Sequence, residues 1–266
     1  MFDKILGVAL AAALLSAGPN FATAQAINSE PLSDPRVRQA IAYAIDMDTI
    51  VETLLEGKAI VADSMLPNGP HKPDGLNPYA YDPAKARELL ALANWDSGRE
   101  LDMVYYYGDQ LTADLMAAVQ SYLSDVGVKM SYRKLEGDVG AQLTTRPTNP
   151  VDGISNIAWD LGYGAAAATA LQEYYNPYKT GGTSHTPGNV ELDGLIDAIN
   201  ATANPDEQRP AYFAIQEYWN KNLDALPLYY QQLFIYESKK LNRNGHGYGN
   251  EPVSYTHLTL PTTAIV

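Results

Sequence analysis

Hydrophobic positions after residue 30 recur at helical spacing, and two Asp-Pro pairs mark where helices begin. In "PLSDPRVRQAIAYAID", Ser33 or Asp34 is the candidate cap and Pro35 occupies the first helical position. "YDPAKARELLALANW" repeats the arrangement with Asp82 and Pro83. The buried faces predicted from this spacing are Val37, Ile41, Ala44 and Ile45 in the first helix and Ala86, Leu89, Leu90 and Ala93 in the second.

The middle of the chain has the pattern of a strand, a helix and a second strand. "ELDMVYYYG" alternates Leu101, Met103 and Tyr105, "DQLTADLMAAVQSYLSDVG" has helical spacing and ends at Gly127, and "VKMSYRK" is again strand-like. The predicted buried face of this helix is Leu111, Leu115, Ala118, Tyr122 and Val126. Such a unit predicts two parallel strands with a right-handed crossover. Two more helices and a strand at 228–236 are predicted to follow.

The first residues have the pattern of a secretory signal peptide. Lys4 precedes an apolar run, and Ala22-Thr23-Ala24 fits a cleavage site before Gln25. The run is shorter than the roughly 20 residues that span a bilayer. The alternative is a buried helix of the mature fold. We expect residues 1–24 to be removed and the mature protein to be periplasmic.

The net charge and the absence of cysteine exclude several classes of function. The formal net charge is −13, and a nucleic-acid partner is not expected because a phosphate backbone requires a basic surface. The chain has no cysteine, which excludes disulfides, thiolate metal sites and a lipoprotein anchor. The four histidines show no metal-ligand spacing, so no cofactor or metal is expected.

Four blocks of the sequence resemble the peptide-type (family 5) extracellular solute-binding proteins of ABC importers. They are "EPLSDPRVRQAIAYAIDMDTIV", "NPYAYDPAKARELLALANW", "YLSDVGVKM" and "ALPLYYQQ", and they occur in the family's order. The resemblance implies an α/β fold, one lobe of a type II periplasmic-binding-protein clamshell plus the returning hinge segment of the other lobe. It also implies capture of a peptide or other small solute and delivery to a cognate ABC permease in the membrane.

The resemblance sets expected boundaries along the chain. Residues 25–225 would form the second lobe, and 226–252 would be the hinge crossing and a remnant of the first lobe. Family members have a long first lobe ahead of the position of Glu30, so a second-lobe fragment is expected. Residues 253–266 begin with "VSYTHLTLPT", which is similar to the translation of a transposon-end sequencing adapter. We expect this tail to be adapter-derived.

The candidate ligand-binding residues lie in the loop-rich stretch 137–188, where aromatic residues over a helix and strand scaffold are typical of small-molecule sites. Peptide-binding members carry a Trp and an Asp after a strand, and the Asp receives the peptide's amino terminus. Either Trp159 and Asp160 are a shortened version of this anchor, or they enter the strand and Gly164 with the following alanines replaces the anchor. The second alignment is preferred, which puts capture of a free amine in doubt.

Tyrosines near this stretch extend the candidate site. A pocket of Ala and Gly beside Tyr163, Tyr174 and Tyr175 would suit an oligosaccharide or a modified peptide, through ring stacking and hydroxyl hydrogen bonds. The alternative for each tyrosine is core or interface packing, and for Asp160 it is capping of neighbouring backbone. For the whole chain, the alternatives are a secreted hydrolase acting through acidic residues and a non-functional truncated or chimeric gene product.

Overall fold

The computed structural model describes residues 32–144, 159–164, 171–180, 182 and 189–231. The predicted signal peptide, the adapter-like tail and most of the predicted hinge segment lie outside these residues. The helices are α1 (Pro35–Ala44), α2 (Met47–Thr53), α3 (Pro83–Leu92), α4 (Gln110–Asp125), α5 (Val139–Thr144), α6 (Val190–Asn200) and α7 (Pro205–Asn222). The strands are β1 (Ala59–Val61), β2 (Glu100–Tyr105), β3 (Lys129–Lys134), β4 (Leu161–Tyr163) and β5 (Tyr229–Gln231), and short 3-10 turns cover Leu171–Tyr174 and Asn176–Tyr178.

The described strands form two sheets. One has the order β3-β2-β4 with both pairs parallel, and the other is an antiparallel ribbon of β1 and β5. The parallel pairing of β2 with β3 across α4 confirms the predicted strand–helix–strand unit. Because β2, β3 and β4 run in the same direction, their carboxyl ends lie at one edge of the sheet.

Asparagine and aspartate caps determine where the helices begin. Asp34 accepts a hydrogen bond from the Arg36 amide and Asp82 accepts one from the Lys85 amide, each at 2.8 Å. Such bonds satisfy amides that have no partner inside the helix. Both caps confirm the prediction for α1 and α3, with Asp34 rather than Ser33 in that role.

The predicted buried face is right for α1 and only partly right for α4, where Val126 is also buried and Ala118 and Tyr122 are partly buried. All four predicted positions of α1 are buried. In α4, Leu115 is buried as predicted, but Leu111 is 43% exposed. The residues of α4 that face the core are Thr112, Leu115, Met116, Val119 and Leu123. The buried face is therefore rotated by about one residue from the predicted one, because Met116, Val119 and Leu123 are the residues that pack into the core.

The alternation predicted for β2 is also only partly right. Leu101 and Tyr105 are buried as expected, but so is Val104, and Met103 is only partly buried. A central parallel strand is covered on both faces, so its burial does not alternate strictly.

Buried side chains of the described residues form two clusters. The first joins α1, α3 and α4 to β2 and β3 through aliphatic residues such as Ile41, Leu90 and Leu101. The second, called the aromatic core here, lies around α6 and α7 and consists of Leu66, Tyr175, Leu192, Ile196, Ile199, Tyr212, Ile215 and Trp219. Among the described helices, none combines the length and the apolar character needed to cross a lipid bilayer.

Candidate functional site

Trp159 and Asp160 lie at the amino end of β4, away from its carboxyl edge. The indole N–H of Trp159 donates to the backbone oxygen of Gln142 at 3.3 Å. Its ring covers Gly162, where an added Cβ would lie 3.2 Å from a ring carbon. Trp159 therefore packs over the backbone of β4, and this contact accounts for the glycine at position 162.

Both carboxylate oxygens of Asp160 have partners within the protein. One accepts from the Arg99 guanidinium at 3.2 Å, and the other accepts from the backbone N–H of Asp102 at 2.9 Å. The Asp160 backbone N–H in turn donates to the Asp102 oxygen at 3.0 Å. These bonds hold the entry of β4 against β2. The arrangement fits the capping alternative weighed for Asp160, and its predicted contact with a solute stays a prediction.

Tyr163 lies at the carboxyl end of β4 and belongs to a group of four tyrosines, named the tyrosine wall here: Tyr106, Tyr107, Tyr163 and Tyr229. The hydroxyls of Tyr163 and Tyr229 are 2.7 Å apart, and those of Tyr106 and Tyr107 are 3.0 Å apart. The ring of Tyr107 meets that of Tyr163 edge-on, with centroids 6.1 Å apart. The wall joins the end of the parallel sheet to the first residue of β5.

Partial burial makes the wall a neutral, hydrogen-bonding surface. Burial raises the pKa of the Tyr163 hydroxyl above its ordinary value, and the hydrogen bond to Tyr229 raises that pKa further. The phenol therefore keeps its proton at any physiological pH. All four rings are partly buried rather than enclosed, so the wall can offer both ring faces and hydroxyls to a partner.

Gly164 explains how Tyr106 reaches the end of β4. A Cβ at this position would lie 2.9 Å from a ring carbon of Tyr106 and 3.1 Å from its hydroxyl. A larger residue would have to displace the ring. The glycine that replaces a side-chain anchor in the preferred alignment is thus the residue that admits Tyr106. The alanines after it lie outside the described residues.

Tyr174 and Tyr175 are separated from the wall and belong to the other part of the fold. Tyr174 packs against the aromatic core, and Tyr175 is a fully buried member of it. The Tyr175 ring meets Trp219 edge-on at 5.4 Å between centroids. The packing alternative accounts for both positions as the structure has them.

Sequence reasoning missed three members of the wall. Tyr106 and Tyr107 directly follow β2, and the run "YYYG" at the end of a predicted parallel strand was the signal that could have found them. Tyr229 stands in "PLYY", a block already recognised as strand-like. Its approach to Tyr163 depends on where β5 passes, which local pattern does not determine. In the described part of the chain, His, Asp and Glu residues do not group into a metal site.

The chain is similar to solute-binding components of bacterial transporters. An ABC transporter peptide-binding protein of Brucella ovis is 36% identical over 106 residues, which are 39% of this chain and 20% of that protein. Glutathione-binding protein GsiB of Salmonella paratyphi A is 25% identical over 219 residues, 81% of this chain and 43% of that protein. The chain thus spans less than half the length of either relative.

Solved structures show the same fold. The substrate-binding protein CtaP of Listeria monocytogenes superimposes with a TM-score of 0.66 at 20% identity, covering 77% of this chain and 42% of that one. The oligopeptide-binding protein of Thermotoga maritima, solved with mannohexaose bound, gives 0.62 at 20% identity over 76% and 42% of the two chains. These neighbours confirm the predicted α/β architecture of a type II periplasmic binding protein.

The family model describes bacterial extracellular solute-binding proteins, family 5, and matches residues 13–184. The match includes α1 to α5, the parallel sheet and Tyr163, so it spans the elements that build most of the wall. Because it covers more than half of the sequence, the chain belongs to the bacterial extracellular solute-binding proteins of family 5.

Proposed function

We propose that this chain is a solute-binding component of an ABC importer, which captures a peptide or related small solute and delivers it to a membrane permease. The tyrosine wall is the observation that carries the proposal. Ligands of open α/β sheets bind outside the carboxyl ends of the strands, and the wall occupies that edge of β2 and β4. Rings and hydroxyls at such an edge provide stacking area and hydrogen bonds.

The charges beside the wall favour a solute without a free amine at this surface. Asp160 is engaged by Arg99 and by backbone. Asp109, which follows β2, accepts hydrogen bonds from the amide and hydroxyl of Thr112. Both carboxylates already accept hydrogen bonds within the protein, so a peptide ammonium would have to share them with these donors. An oligosaccharide or a modified peptide is therefore the second candidate, and the Thermotoga neighbour with bound mannohexaose is consistent with it.

The remaining assignments follow from the family and the sequence. Residues 1–24 would direct export to the periplasm and be removed. Residues 25–225 would form one lobe, 226–252 the hinge crossing and 253–266 a tail that takes no part in binding. A non-catalytic role is proposed because the family and the fold are those of solute-binding proteins. Trp159 and Asp160 would support the wall from the other end of β4.

Isothermal titration of the full chain with glutathione, a tripeptide and mannohexaose tests the proposal. We expect Tyr163→Leu to weaken the binding of the preferred solute by about tenfold, because one aromatic stacking contact is lost. Tyr218→Leu is the matched control, since Tyr218 is also partly buried but packs against the aromatic core and bonds to Asn189. An affinity that Tyr163→Leu leaves unchanged, or the absence of binding to all three probes, would contradict the proposal.

Mass analysis of the solute after incubation separates binding from hydrolysis. An intact solute is expected. Cleavage that stops when single Asp or Glu residues are replaced would instead favour the secreted hydrolase.

A further inference from the structure

The β1–β5 ribbon has two faces, and the wall uses only one of them. Neighbouring residues of a strand point to opposite sides. Tyr229 therefore faces the wall, whereas Tyr230, paired with Ile60, faces the other side. Beside Tyr230 and Ile60 lies an open cavity of about 230 Å³, bordered by the turn between α1 and α2, the ribbon, the loop 62–81 and the approach to β5. It is called the rear cavity here.

The lining of the rear cavity combines an apolar floor with aromatic and acidic groups. Ile45 and Leu223 are buried floor residues, and Tyr79, Tyr81 and Tyr230 contribute rings. The ionisable lining groups other than tyrosine are the carboxylates of Asp48 and Asp63 and the ammonium of Lys72, a net formal charge of −1. An acidic, ring-lined cavity attracts cations more than anions.

Lys72 shows that one ring of the cavity already accepts an ammonium group. Its Nζ lies 5.9 Å from the centroid of the Tyr230 ring. The same ammonium bonds to Asp63 and, at 2.8 Å, to Asn68, and the Lys72 side chain is only 10% exposed. Lys72 thus neutralises Asp63. Asp48 is exposed and forms no ion pair with any described residue, so its charge is available.

The walls of the cavity are held in place before any ligand arrives. The Asn220 side-chain amide donates to the backbone oxygens of Asp63 and Asn77 at 3.0 and 2.9 Å. The Tyr79 hydroxyl donates to the Asn220 oxygen at 2.6 Å, and Tyr79 has a φ of 49°, which non-glycine residues rarely adopt. The Tyr230 hydroxyl lies 2.7 Å from both the Ser64 and Leu66 oxygens. A pre-formed cavity spares a ligand the cost of ordering the loop.

We propose that the rear cavity binds a small organic cation, with its ammonium group toward Asp48 and its apolar body among the tyrosine rings. The volume lies below the range of roughly 300–1,000 Å³ of drug-sized sites, so the ligand is small. This site is separate from the tyrosine wall, because none of the four wall residues lines it. The proposal of a cation site does not depend on the identity of the solute proposed for the wall.

Nuclear magnetic resonance titration of the full chain with phenethylammonium tests this site. We expect shifts of the backbone amides of Asp48, Ile60 and Tyr230, and smaller shifts or none with 3-phenylpropionate, an anion of similar size. Asp48→Asn should weaken phenethylammonium binding by about fivefold, since one exposed charge contact is lost. Glu52→Gln should leave it unchanged, because Glu52 is an exposed carboxylate of the same helix outside the cavity lining.

Three results would overturn the proposal. One is the absence of amide shifts with phenethylammonium at millimolar concentration. Another is equal binding of the anion and the cation. The third is equal weakening by Asp48→Asn and Glu52→Gln. Tyr81→Leu provides a second variant that leaves every charge in place. It should also weaken binding of the cation, because Tyr81 lines the cavity and is 40% exposed.

Discussion

The tyrosine wall and the aromatic core place the same residue type in opposite surroundings. Tyr163 and Tyr175 are close in sequence, yet Tyr163 is partly exposed at a strand end and Tyr175 is fully buried between helices. The wall's hydroxyls bond to one another, whereas the core's rings pack edge-on against Trp219. The difference teaches that tyrosine content alone does not indicate a binding surface. The position of a tyrosine relative to the ends of the parallel strands is the better indicator of such a surface.

The largest expected effect lies in the aromatic core. Trp219→Ala should lower the free energy of unfolding by about 3–5 kcal/mol, because a fully buried indole leaves a cavity. The same change also removes the indole N–H that donates to the Ala225 oxygen at 2.9 Å. Tyr163→Phe in the wall should cost about 1 kcal/mol, the worth of one hydrogen bond. Urea unfolding of both variants measures the contrast, and similar losses would remove the distinction between the two groups.

A smaller effect is expected at the entry of β4. Asp160→Ala should destabilise the chain by about 1–3 kcal/mol, since it leaves the Asp102 amide and Arg99 without their acceptor. Asp197→Ala is the control, because Asp197 pairs with Lys179 at the exposed surface, where such pairs contribute about 0–1 kcal/mol. Equal midpoints of urea unfolding for the two variants would show that Asp160 does not support the sheet and is free for another role.

The smallest expected effect is a difference in pH dependence between an acid beside the wall and one beside the core. Hydrogen bonds from Thr112, chiefly from its amide, hold the pKa of Asp109 below its ordinary value of 3.8. The stability that Asp109 contributes is therefore present above that value and lost as the pH falls through the lowered pKa. Burial raises the pKa of Asp224, although Arg38 partly opposes the shift. Its contribution is present below 3.8 and lost as the pH rises through the raised pKa.

Urea unfolding between pH 3 and pH 8 checks both signs. Asp109→Asn should lose stability relative to the parent only above about pH 4, the range in which a free aspartate is ionised. Asp224→Asn should remove the part of the pH slope that lies above this range. Parallel profiles for the parent and Asp224→Asn would contradict the raised pKa.

The sequence predicted the frame of the fold better than its details. The Asp-Pro helix starts and the β2–α4–β3 crossover depend on local spacing, so they could be predicted from a few residues each. The exact buried face of α4 could not, because Met116, Val119 and Leu123 pack against distant parts of the chain, whereas Leu111 stays exposed. Spacing defines the period of a helix and leaves its rotation to contacts made elsewhere.

The candidate site was predicted in part for a similar reason. Tyr163 could be singled out because a strand pattern and a family block meet there. Its partner Tyr229 comes from β5, 66 positions later in the chain, and this contact exists only once β5 has paired with β1. Tyr175 shows the opposite case. It lies in the same loop-rich stretch, yet helices α6 and α7 enclose it.

The alternation of Tyr229 and Tyr230 makes β5 unusually sensitive to insertions and deletions. One added residue before Tyr229 would shift every later side chain to the other face of the ribbon. Tyr230 would then lose its bonds to the Ser64 and Leu66 oxygens, and Tyr229 would leave Tyr163. Substitutions can alter the wall and the rear cavity one at a time. A change in the length of this segment would disrupt the wall and the rear cavity together, so both surfaces depend on the register of β5.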